Sequence, residues 1–153
     1  MESLSGFLVR ELADLRRFCV LIEEERKALT GLQADRLPDI ATEKSSLAAQ
    51  LSQLETRRDA LLVAGGFAKG RAGIEAWLAS HPNPDVELQW TELLKLARQA
   101  RDGNETNGHL IDLLLKQNQD ALSILVSGGA ESIYGADGQP RSLLGEKRSF
   151  GAV

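Results

Sequence analysis

Two stretches of the chain, residues 7–30 and 32–64, contain no glycine. In the first, Leu8, Leu12, Leu15, Cys19, Ile22, Arg26 and Leu29 follow one another by fours and threes. In the second, Leu37, Ile40, Lys44, Leu47, Leu51, Leu54, Arg58 and Leu61 do the same. This is the a/d spacing of a heptad, which draws one apolar stripe along a helix. Leu and Ala together number 44 of 153 residues, against 17 for Val, Ile and Thr, a balance that favours helices over pleated sheet. Gly31 and Gly65-Gly66 stand where helix C-caps belong. With Asp35 as an N-cap, Pro38 falls in the first turn, where its missing N–H costs nothing. The short connection around Gly31 makes the two helices an antiparallel hairpin.

Three charged residues interrupt these seams: Arg26, Lys44 and Arg58. Long basic side chains at such positions are expected to snorkel outward to nearby carboxylates. If Leu29 faces Leu37, Lys44 lands near Glu23. Residues 65–73 hold four glycines and read as a flexible connection. A short helix over Ile74–Ala79 follows, with Trp77 inward. His81-Pro82-Asn83-Pro84 then blocks helix, which makes His81 a loop residue. Asp85 is the expected N-cap of a last long helix. Its seam runs Val86, Trp90, Leu93, Ala97, Ala100, Asn104, Asn107, Ile111, Leu114, Asn118, Ala121 and Leu125. The register survives Gly103 and Gly108 and favours one helix, with a break at Asp102-Gly103 as the alternative. From Ser127 the periodicity ends. The expectation is an all-α chain of three long helices and one short one: a helical domain over 1–126 and a flexible, disordered tail over 127–153.

Several function classes are disfavoured. Cys19 is the only cysteine, and His81 and His109 have no metal-ligand spacing. No cofactor motif is present. The net charge of −4 has no basic concentration for nucleic acid or anionic lipid. No apolar run is long enough to span a membrane and no secretory leader is visible, so a cytoplasmic protein without membrane insertion is expected.

One segment is more apolar than a docked helix requires. At 100° per residue, Leu110, Ile111, Leu113, Leu114, Leu115, Ala121, Leu122, Ile124, Leu125 and Val126 cover an arc of roughly 220°. One face of about 100° suffices to cover the hairpin. The surplus calls for a cover: the short Trp77 helix, a second copy of the chain, or an amphipathic client helix. In the tail, Tyr134 beside Ile133 is the only tyrosine and a candidate anchor for a short binding motif.

The chain resembles the FlgN family of flagellar export chaperones over nearly its whole length. The resemblance rests on Lys44 followed by Leu47 and Leu51, on Arg57-Arg58 and Leu61-Leu62, on Asn104-Glu105-Thr106-Asn107-Gly108 leading into Leu110-Ile111, and on Tyr134-Gly135-Ala136-Asp137-Gly138-Gln139. After Gln139 no likeness is visible. The resemblance implies a non-enzymatic, ATP-independent chaperone that binds C-terminal helical segments of hook–filament junction proteins. It would prevent their premature assembly and deliver them to the flagellar type III export gate and its associated apparatus. Client contacts would fall on Asn107, Gly108, Leu110, Ile111, Leu114, Leu115, Leu122 and Leu125, with Asn107 and Gly108 as polar end and hinge. Gate docking would fall on Tyr134. Two other readings stand beside it: a structural coiled-coil module that closes a homodimer, and a phosphotransfer bundle using His109.

Overall fold

A computed structural model describes residues 2–133, with side chains through Ser127. Four α-helices are described: α1 (Leu4–Thr30), α2 (Leu37–Ala64), α3 (Gly70–Ser80) and α4 (Pro84–Ile133). No strand occurs among the described residues, and the all-α expectation of three long helices and one short one holds. Residues up to His109 form one compact unit, and the described residues from Leu110 onward belong to a second. α4 is continuous across Gly103 and Gly108. It also runs past Val126 through residues 127–133, which the sequence pattern had assigned to the tail.

Within the first unit α1 carries not one stripe but two. The stripe read from sequence faces α4: Cys19 Sγ lies 3.8 Å from the Leu96 carbonyl, and the Ile22 carbonyl accepts from Asn107 at 2.8 Å. A second stripe, displaced by a single residue, comprises Phe7, Glu11, Asp14, Phe18, Leu21, Glu25 and Ala28. It faces α2, where Leu21 and Ala28 pack with Ile40 and Leu47. A helix lying between two neighbours needs both.

Two acids in that second stripe hold the hairpin register. Arg58 Nη1 donates to both oxygens of Glu11, at 2.7 and 2.8 Å, and Lys44 Nζ donates to both oxygens of Glu25, at 3.2 and 3.1 Å. The acids are fourteen residues apart on α1 and the bases fourteen apart on α2, so the two rungs match only in one antiparallel alignment. The expected Lys44–Glu23 pairing is therefore corrected to Glu25. Glu23 sits on the exposed side and takes Arg26 at 3.2 Å. Nor does Arg58 snorkel: it is 5% exposed.

The connections differ from expectation in detail. Asp35 is not the cap of α2; a single 3-10 turn over Ala34–Arg36 precedes the helix, and Pro38 lies in its first turn. Gly31 caps α1 as expected, but the left-handed conformation falls on Leu32, with φ of 55°. Asn83, not Asp85, caps α4: its Oδ1 accepts from the Asp85 and Val86 amides at 3.1 and 3.2 Å. The glycine-rich connection is more ordered than its composition suggests. The Gly70 amide donates to Asp59 at 3.0 Å, and a Cβ on Gly73 would lie 1.7 Å from the Ala68 carbonyl oxygen. His81 ends α3 with its ring stacked on Trp77, centroids 4.8 Å apart. Ile74 joins Leu8, Leu12, Leu62, Val86 and Trp90 in the main core.

Burial pushes the Glu11 carboxyl above the ordinary glutamate range, while Arg58 draws it back down. A carboxyl raised in the fold stabilises fully below its ordinary pKa and loses that contribution as pH rises through the raised value. Arg58→Met should therefore cost about 3–5 kcal/mol at neutral pH by stranding the Glu11 charge, and less in acid. The double variant Glu11→Leu/Arg58→Met should recover most of the loss, as read by urea unfolding.

Candidate functional site

α4 changes character along its length, and the change is built from its residues. Up to Asn107 it is a core helix. Val86, Trp90, Leu93, Leu96 and Ala100 are buried. Leu96 replaces Ala97 in the expected seam, because Ala97 is exposed. At Gly103 the Ile22 side chain of α1 packs against the α4 backbone: an added Cβ would stand 2.8 Å from Ile22 Cγ2.

One turn further on, Asn107 fastens α4 to the hairpin. Its side chain is 1% exposed and its amide nitrogen donates to the Ile22 carbonyl at 2.8 Å and to Glu25 at 2.9 Å. Arg26 Nε donates to its oxygen at 3.2 Å. Asn104 accepts from Lys44 at 2.6 Å. Glu25 thus holds α2 through Lys44 and α4 through Asn107. Asn107 had been assigned to client contact as the polar end of a groove. In this structure its side chain is buried and bonded to α1, where it acts as an internal clamp. Gly108 follows immediately, with nothing within 4 Å of the space a Cβ would take.

Beyond Gly108 the apolar residues are largely uncovered. Leu110 and Leu114 are half-buried. Ile111, Leu113 and Leu115 are exposed, and Leu122, Ile124, Leu125 and Val126 are 60–70% exposed. From Leu110 to Ser127 the polar residues are Asp112, the run over 116–120 and two serines, so the outward-facing apolar residues form two patches, one before that run and one after it. Such a surface is large for a solvated helix and suits an apolar partner.

The other flagged residues are placed as follows. Tyr134 lies outside the described residues. His109 is exposed, with Nε2 3.8 Å from Glu105. Cys19 is half-buried in the α1–α4 seam, and burial raises its thiol pKa. Among the described residues no group of three or more His, Cys, Asp or Glu is placed to hold a metal, and no helix is long and apolar enough to cross a membrane.

A family model described as FlgN protein matches residues 1–142. Curated relatives named flagella synthesis protein FlgN are similar along most of the chain. The protein from Salmonella typhimurium is 29% identical over 117 residues, 76% of this chain and 74% of the relative. That from Yersinia enterocolitica is 28% identical over 151 residues, covering 96% and 97%. That from Escherichia coli K12 is 27% identical over 145 residues, covering 91% of each. No solved structure gives a significant match.

The clamp and the exposed stretch separate by mutation. Asn107→Ala should lower the stability of the 1–109 unit by about 1–3 kcal/mol, since it leaves the Ile22 carbonyl and Glu25 short of a donor. Gly108→Ala should instead stabilise α4 by up to about 1 kcal/mol. Denaturant unfolding followed by circular dichroism checks both.

Proposed function

The chain belongs to the FlgN family of flagellar synthesis proteins, and we propose that it is an ATP-independent export chaperone for hook–filament junction proteins. The observation that carries this reading is the exposed apolar surface from Leu110 to Val126. A client's C-terminal helix lays its own apolar stripe against that surface, with Leu110, Ile111, Leu114, Leu115, Leu122 and Leu125 as contacts. Gly108 marks where the internal clamp ends and the client surface begins.

The mechanism is physical. A junction protein's terminal helix is apolar because it will later pack in a filament. Covered by the chaperone, it has no face left for premature assembly. Binding would draw on apolar burial, at about 25 cal/mol per Å², less the ordering of the client segment. No bond is made or broken and no nucleotide is needed. Such a contact holds well in the cytoplasm and is released when the client is drawn away at the export gate. Tyr134 serves in this scheme as the anchor that docks the loaded chaperone on the gate, separate from the client surface.

Titration calorimetry of the full chain against C-terminal peptides of junction proteins tests the scheme. Binding with a negative heat-capacity change is expected. Leu122→Asp and Leu125→Asp should each weaken it about tenfold or more while leaving the melting of the bundle unchanged. Tyr134→Ala should bind client as the native chain does and lose affinity for the gate. Peptide affinity that survives both Asp variants, or that falls with Tyr134→Ala, would overturn the division of roles.

A further inference from the structure

The client contacts leave part of the exposed stretch of α4 without a role. Leu113, Ile124 and Val126 are 52%, 70% and 68% exposed and belong to none of them. At 100° per residue, Ile124 and Val126 stand about 200° apart across the apolar arc, as do Leu113 and Leu115. One docked helix needs only about 100° of apolar face. Laid along the middle of the arc, it leaves both edges in water. The arc instead resolves into two seams, each stepping by four and three. One is Leu110, Leu114, Gln117, Ala121 and Ile124, and the other Ile111, Leu115, Asn118, Leu122 and Leu125. The second is the first displaced by one residue. α1 shows what that pattern does in this protein: its two stripes, also one residue apart, pack one on α4 and the other on α2.

We propose that one client seats two helices on this stretch, one along each seam, so that α4 becomes the central helix of three. This arrangement, which rests on the client reading, fixes what the client must bring. Each client helix meets an amide midway, Gln117 on one seam and Asn118 on the other, and both are exposed. A polar side chain at that level of each client helix satisfies them and sets the register, as single polar residues do in coiled coils. The face turned away from both seams carries Asp112, Lys116, Asp120, Ser123 and Ser127 and stays in water. Its two borders are acidic: Asp112 stands beside the Val126 edge and Asp120 beside the Leu113 edge, with Lys116 between them. A second copy of this helix would set aspartate borders against aspartate borders, whereas client helices with basic flanks complement them. One chain that supplies both helices loses its translational freedom once, and its second helix docks at the effective concentration set by the linker.

Titration calorimetry of the full chain against a purified, full-length junction protein tests it with two paired truncations. Leu113→Ala/Ile124→Ala strips one edge and Leu115→Ala/Val126→Ala the other. All four positions are exposed and alanine favours helix, so folding is preserved. Each pair should weaken binding about tenfold or more, with one client bound per chaperone. A single client helix cannot touch both edges. Full affinity in either pair would therefore overturn the two-helix arrangement while leaving the client reading in place, and so would two clients bound per chaperone. No binding by the native chain would instead sink the client reading, and the arrangement with it. Sedimentation velocity of the free chain completes the test. A self-associated species that both pairs weaken would put further copies of this chain on the seams and overturn the proposal.

Discussion

The Glu25 carboxylate is where three helices are tied. Lys44 reaches it from α2 and Asn107 from α4, while Glu25 itself sits on α1 and is 7% exposed. A buried carboxylate without partners would be strongly disfavoured, so the fold that forms must bring both donors to it. Glu11 and Arg58 repeat the requirement fourteen residues away. Leucine seams alone tolerate slippage by a heptad; two charged rungs and an asparagine do not. Polar groups of this kind add little net stability but exclude wrong registers, as single polar residues do in coiled coils.

That fastening also divides α4. Before Gly108 the helix is held by core packing, by the close approach at Gly103 and by Asn107. After it, the same helix presents leucines and isoleucines to the outside. Stability resides in residues 1–109, and the apolar surface beyond them is free to be covered by something else.

Much of this was legible in the sequence. The four-and-three spacing of leucines disclosed the long helices, and Gly31, Gly65-Gly66 and Pro84 marked their ends. The surplus arc after Gly108 was visible from the number of apolar residues alone. What sequence periodicity concealed was the second stripe of α1. Glu11 and Glu25 stand at two of its positions, and a carboxylate at a seam position reads as solvent-facing until its partner is known. Asn107 carries a similar ambiguity: its spacing puts it in the α4 seam, the family resemblance puts it among the client contacts, and long-range packing buries its side chain against α1. Caps were misassigned by one or two residues at Asp35 and Asp85. There a 3-10 turn and the Asn83 side chain do the work that local sequence suggested for the aspartates.

Amide hydrogen exchange along α4 measures the central claim directly, namely one helix with an anchored half and an uncovered half. In the full chain, amides over 90–107 should exchange slowly, through global unfolding. Those over 111–126 should exchange orders of magnitude faster, through local opening, and should gain protection when a junction-protein C-terminal peptide is added. Uniformly slow exchange from 90 to 126 in the unbound monomer, or peptide-induced protection confined to residues before Gly108, would contradict it.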